Sequence, residues 1–259
     1  GILAILHVFH DRLFTAGSGT SYATPRVAFN AAQILTRFPQ ASANLVRALL
    51  IGSADVPDAA RDRMQLHGPD ATRNVCGHGQ VNLERAAFSD DARVVLYAED
   101  ELAIDHFAVY QIPVPEPFQS ESGERSIRVT LAFDPPVRHT RADYSGVGMS
   151  FRLIRGCEPD LVFEHYRKRT KEEGKFPEIE SRYDCALLPG PQASEKGTVQ
   201  CATATFKRSV EPYGDAYYLV VRCEGGWASH VGHQRFAVVV EISHKAEVLL
   251  YELIEQRVR

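Results

Sequence analysis

Apolar residues change their spacing near residue 90, and that change fixes what the chain can fold into. Before it, Val27, Ala31, Ile34, Leu35 and Phe38 recur at helical spacing, which predicts one buried stripe on a helix. After it, Ile127, Val129, Leu131 and Phe133 alternate with Arg128, Thr130 and Ala132, and Phe236, Val238, Val240 and Ile242 repeat the pattern. Period two is the signature of a half-buried strand. Further strands are expected at 93–98, 106–112, 148–155, 199–207, 217–223 and 247–254. Short strands separated by Pro, Gly and Asp turns predict an all-β antiparallel sandwich over residues 90–259, with enough chain for a core of its own.

The earlier segment is organised around Gly19-Thr20-Ser21-Tyr22-Ala23-Thr24-Pro25. Gly17 and Gly19 permit a tight turn. Pro25 has no N–H to lose in a first helical turn. Ser21 then stands at a helix mouth, where unpaired backbone N–H groups and the positive dipole end converge. Such a place favours an oxyanion forming beside the serine, which acyl transfer requires. Gly-Thr-Ser ahead of a helix is equally ordinary capping chemistry. Leu3 to Phe9 reads as a strand and Asp11 to Ser18 as a loop. Phe38-Pro39 stops the helix. Ser42 caps a second helix carrying Leu45, Val46, Leu49 and Leu50, with Gly52 past its end. Residues 55–74 read as a polar loop, and Gly77-His78-Gly79-Gln80-Val81-Asn82 opens a third helix through Leu83 and Ala87.

These residues also carry a resemblance. Gly19-Thr20-Ser21, with Ala23 and Pro25, resembles the nucleophile motif of the subtilisin-like serine peptidases, the subtilases. The related sedolisins share Gly-Thr-Ser but usually place a serine where this chain has Ala23. Ser53-Ala54 and the Gly77–Asn82 turn resemble later landmarks of the subtilase domain, so the likeness covers roughly residues 14–88. Val129 to Pro136 resembles a strand of the jelly-roll domains that many subtilases carry at the C-terminal end. The resemblance implies that Ser21 is the nucleophile and that its own N–H is one oxyanion donor. The subtilisin order is Asp, His, Ser, yet only twenty residues precede Ser21. His7, His10 and Asp11 among them match neither the family's Asp nor its His motif, and the oxyanion asparagine has no place upstream. The implied fold is an α/β remnant of a subtilisin-like catalytic domain, mostly helices, over 1–89, followed by the sandwich or jelly roll over 90–259. The implied partners are a polypeptide substrate and an upstream segment of the same protein, and the chain alone is expected to be inactive. The alternative is a non-catalytic binding or stabilising module with a vestigial serine.

Other chemistry is sparse. The net charge of −4 argues against a dedicated nucleic-acid surface, and no apolar run is long enough to span a membrane. Five scattered cysteines, at 76, 157, 185, 201 and 223, form no C-x-x-C pair and read as reduced, mostly buried thiols, which favours a cytoplasmic setting. His7-x-x-His10 and His230-x-x-His233 lack the carboxylate pattern of a zinc motif. Cys76 beside His78 fits a structural turn, so neither metal nor cofactor is expected. Oligomerisation is left open. Trp227 reads as a loop anchor. Residues 159–180, rich in Lys, Arg and Glu, read as an insertion, with Leu161 to Glu173 a solvated charged helix or a loose loop, or else a partner-docking surface.

Overall fold

The computed structural model describes residues 2–17, 19–68, 70–167, 179–207, 213–245 and 250–258. They form two compact units: Gly1–Ala41 with Ser53–Ala87, and Ser42–Gly52 with Phe88–Arg259.

The first unit begins with a hairpin of β1 (Ile2–Ile5) and β2 (Phe14–Gly17), paired antiparallel from Ile2↔Gly17 to Ile5↔Phe14. Residues 14–17, expected as part of a loop, thus form a strand, because Phe14 and Ala16 pair with Ile5 and Leu3 across the hairpin. Helix α1 (Thr20–Arg37) follows. Of its expected buried stripe only Ile34 is fully buried, whereas Val27 and Leu35 stand 44% and 41% exposed. The polar stretch after Asp55 is a second correction. It carries two short helices, α3 (Asp58–Gln65) and α4 (Ala71–Cys76). Ala59, Ala60, Arg61, Met64 and Gln65 favour a helix by propensity, but no apolar stripe advertises it. Helix α5 (Leu83–Ala87) starts where expected, its first turn capped by Asn82 Oδ1, which accepts the Arg85 N–H at 3.1 Å.

Among the described residues the second unit holds seven strands: β3 (Arg93–Ala103), β4 (Phe107–Pro113), β5 (Arg125–Phe133), β6 (Val147–Arg155), β7 (Val199–Phe206), β8 (Ala216–Gly225) and β9 (His233–His244). They pair antiparallel in two sheets, ordered β3-β9-β5-β7 and β4-β8-β6. Alternate residues of both sheets enter one hydrophobic cluster; Ile127, Val129, Leu131, Val238 and Val240 come from the first sheet, and Phe151, Leu153, Leu219 and Val221 from the second. The expected strand at 247–254 is corrected. Residues 247–249 lie outside the described set, and Leu250–Val258 form a helix. Leu250 and Ile254, one helical turn apart, both reach the cluster, and a short apolar run does not separate helix from strand by period alone.

The outward faces are covered too. Over the three-stranded sheet lies α6 (Pro159–Arg167), whose Val162 and Tyr166 are buried with Ile154, Tyr218 and Val220. The charged segment is therefore docked over its first part rather than solvated; residues 168–178 lie outside the described set. Over the four-stranded sheet lies α2 (Ala43–Gly52). The sequence groups this helix with residues 1–89, but its partners are sheet residues. Leu45, Val46, Ala48, Leu49 and Leu50 are buried, and so are Thr130, Ala237 and Val239 on the strands' outward side. A Cβ on Gly52 would come within 3.0 Å of Thr130 Oγ1. Ser42 Oγ caps the first turn by accepting the Leu45 N–H at 3.2 Å. Glu99 accepts the Ser42 N–H at 3.0 Å, and Arg128 donates to the Gly52 carbonyl at 3.0 Å. Arg47 donates to the Phe133 carbonyl at 3.3 Å and to Thr198 at 2.8 Å, while Asn44 donates to Asp134 at 2.7 Å.

Two outcomes are expected. Leu49→Ala, at a 2% exposed position, should cost the second unit about 2–5 kcal/mol, and a chain begun at Ser89 should melt below one begun at Ser42. Urea unfolding followed by Trp227 emission checks both, and equal stability of the two shortened chains would contradict the docking of α2. Gly79→Ala should disrupt the first unit alone. Gly79 has φ +97°, and an added Cβ would lie 2.2 Å from the Asp55 carbonyl, a clash worth at least about 1–3 kcal/mol. Faster proteolysis of residues 53–87, with Trp227 unfolding unchanged, is the expected signature.

Candidate functional site

The candidate site is built on the strand-turn-helix that runs from β2 into α1. The Tyr22 ring packs over Gly17, where an added Cβ would meet it at 3.1 Å, so the turn closes tightly on a bare backbone. Gly19 caps the helix without a side chain. Its carbonyl accepts both the Tyr22 N–H at 3.1 Å and the Ala23 N–H at 3.2 Å. The N–H groups of Thr20 and Ser21 stay outside the helix ladder, at its positive end. Ser21 is exposed in this first turn.

Pro25 does not sit in the first turn, as the sequence suggested. It is the sixth residue of α1. Its missing N–H is the one that would have bonded the Ser21 carbonyl, four residues back. The ladder therefore skips the serine's own carbonyl, while Thr24 Oγ1 bonds the Thr20 carbonyl at 3.0 Å.

Among the described residues Ser21 Oγ has no hydrogen-bond partner, and no histidine is joined to it. His7, His10 and Asp11 stand exposed in the connection between β1 and β2, where the Leu6 N–H bonds the Leu13 carbonyl at 3.0 Å and His10 stacks 4.0 Å from Phe9. The helix mouth thus offers donors for an oxyanion and a hydroxyl beside them, with no base in hydrogen-bond reach.

The Gly77–Asn82 turn is held by a residue that the motif does not announce. Asp55 and Gln80 exchange two backbone hydrogen bonds, of 3.1 and 2.8 Å. The Asp55 carboxylate also accepts from the Val56 N–H at 2.9 Å and from Arg61 at 3.0 Å. Only the tight Gly79, with its positive φ, hints that another backbone must pass close by. A cleft of about 330 Å³ opens between Gly17, Tyr22, Arg26, Val27, Gly79 and Val81. Ser21 is not part of its wall.

The remaining candidates stay apart. Among the described residues no group of three or more His, Cys, Asp or Glu is placed to hold a metal ion. His230 lies in a short 3-10 helix and His233 opens β9. All five cysteines are free thiols, and burial pushes Cys185 and Cys223 up to about 12, which keeps them protonated and poorly nucleophilic. No helix among the described residues is long and apolar enough to cross a membrane.

Comparison with known proteins gives one match along the whole chain and one confined to the segment around Ser21. An uncharacterized protein of Sinorhizobium fredii, y4bN, is 67% identical over all 259 residues, and the chain spans 60% of the length of that curated relative. A chain from the structure of Tomato Aspermy Virus is 12% identical, covering 63% of this chain and 86% of that one at a TM-score of 0.23, too low to carry an argument. Residues 3–79, which include the β1–β2 hairpin, the Ser21 turn and α1, match the model of the subtilase family of peptidases.

Proposed function

We propose that residues 1–89 are the C-terminal part of a subtilisin-like catalytic domain and that Ser21 is its nucleophile. The activity is hydrolysis of peptide bonds in a polypeptide substrate. The observation that carries the proposal is the coincidence of the family match over residues 3–79 with Ser21 exposed at the N-terminus of α1. In this reading the Ser21 hydroxyl attacks the scissile carbonyl, and its own N–H helps to hold the oxyanion. The histidine, the aspartate and the second oxyanion donor belong to an upstream segment of the parent protein. Support for such a segment comes from the first unit itself: Leu3 is 67% exposed, Ile5 72% and Phe29 60% on elements whose patterning is that of a buried layer. The sheet orders β3-β9-β5-β7 and β4-β8-β6 support reading residues 90–259 as an antiparallel jelly roll.

Without a base, Ser21 keeps an ordinary hydroxyl, and loss of triad members costs several orders of magnitude in rate. The isolated chain should label poorly with a fluorophosphonate probe. Strong labelling abolished by Ser21→Ala would show a base that the described residues do not reveal.

Co-expression with the segment that precedes Gly1 in the parent gene should give a complex that hydrolyses unfolded protein. Ser21→Ala should abolish that activity and leave assembly intact. A complex that still cleaves with Ser21→Ala would remove the serine from the mechanism. Assembly with no cleavage even by the unmodified chain would favour the second reading, a non-catalytic binding module, which suits a Ser21 hydroxyl that finds no partner among the described residues.

A further inference from the structure

Trp227, the sole tryptophan of the chain, sits where two loops of the second unit are locked together. Val137 and Ser145 pair as an antiparallel bridge, and the Arg138 N–H bonds the Tyr144 carbonyl at 3.1 Å. The closed loop so formed is tied to the segment after β8. Gly146 donates to the Pro136 carbonyl at 2.7 Å and accepts from the Ala228 N–H at 3.0 Å. The indole Nε1 donates to the Asp143 carbonyl at 2.9 Å. No side chain fits at Gly146, where a Cβ would lie 2.4 Å from that of Ala228 and 3.0 Å from the indole. Trp227 is thus the loop anchor that its setting predicts.

The anchor also carries a cation. The Arg138 guanidinium lies over the indole, 4.4 Å from the ring centroid. Arg141 stands farther off at 5.8 Å and pairs with Asp143 at 3.3 Å. Arg138 is exposed, and among the described residues no carboxylate pairs with it. A guanidinium held over an aromatic ring has already given up much of its rotamer freedom, so binding costs less. Its planar fork matches a carboxylate bidentately. Tyr144 and Val137, 49% and 43% exposed, adjoin it on the same loop.

We infer that this rigid patch is a docking surface for an acidic polypeptide segment. Arg138 takes an Asp or Glu carboxylate, and neighbouring apolar side chains of the segment pack on Tyr144 and Val137. The combination of Trp, Tyr and Arg on a preorganised loop is what protein-binding hot spots use. A nucleic-acid strand fits poorly, because the single guanidinium that this patch offers, on a chain of net charge −4, cannot track a phosphate backbone. The inference does not depend on the role given to Ser21.

The single tryptophan reports on the site directly. The full 259-residue chain is titrated with a short peptide alternating Glu and Leu, with a Lys-Leu peptide and with inorganic phosphate, following Trp227 emission. The acidic peptide should give a saturable change that weakens as salt is added. In Arg138→Gln the apparent Kd should rise about tenfold or more, and Arg138→Lys should recover part of the loss. Both substitutions are at an exposed side chain and should leave the melting curve unchanged. A flat titration, an equal response in Arg138→Gln, or a response to phosphate as strong as that to peptide would overturn the inference.

Discussion

The second unit depends on a helix that arrives from a distant part of the sequence. The outward side of β5 and β9 carries Thr130, Ala237 and Val239, residues that water would tolerate poorly as an open face. Helix α2 closes it with Leu45, Val46, Leu49 and Leu50, each worth about 1.5–3 kcal/mol when fully buried. Its two ends are read by opposite charges. Glu99 meets the N-terminus and Arg128 the C-terminus, the signs that a helix dipole favours. A helix docked in reverse would put a carboxylate against carbonyls and a guanidinium against N–H groups. Direction is thus set by electrostatics, and depth by apolar burial.

This arrangement explains why one sheet looks half-buried in the sequence and is buried on both sides in the structure. Alternation along Ile127 to Phe133 reports the inner side correctly. The outer side holds Arg128, Thr130 and Ala132, a mixture that reads as solvated until α2 supplies the cover. Arg128 remains compatible because its guanidinium reaches the carbonyl end of that helix. A polar residue on a covered face thus serves as a cap for its neighbour.

Much of the fold was legible where local chemistry decides. Ser42 caps α2, Phe38 ends α1, and the long alternations at β5 and β9 lie where period two places them. The failures have a common cause. The strand β2, the helices α3 and α4, and the helix at 250–258 are fixed by partners or by propensity rather than by a repeating apolar pattern. Leu250 and Ile254 choose the helix because a turn of helix brings both to one cluster, which no window on that short run can reveal. At the candidate site, the helix mouth that exposes Ser21 was legible from the glycines before it and the helix that follows. Asp55, which holds the Gly77–Asn82 turn, was not, because its bonds to Gln80 are made by backbone atoms that carry no sequence signature.

Pro25 gives the serine turn a mechanical character of its own. In an uninterrupted helix each carbonyl is pinned by the amide four residues ahead. The Ser21 carbonyl is released from that rule, while Tyr22 and Ala23 both hang from the single oxygen of Gly19. The first turn is therefore suspended from one point behind the serine and untied ahead of it. The peptide plane after Ser21 is held on its N–H side, at the Gly19 oxygen, and left off the ladder on its carbonyl side, so the helix is a stiff rod whose tip is tied from one direction.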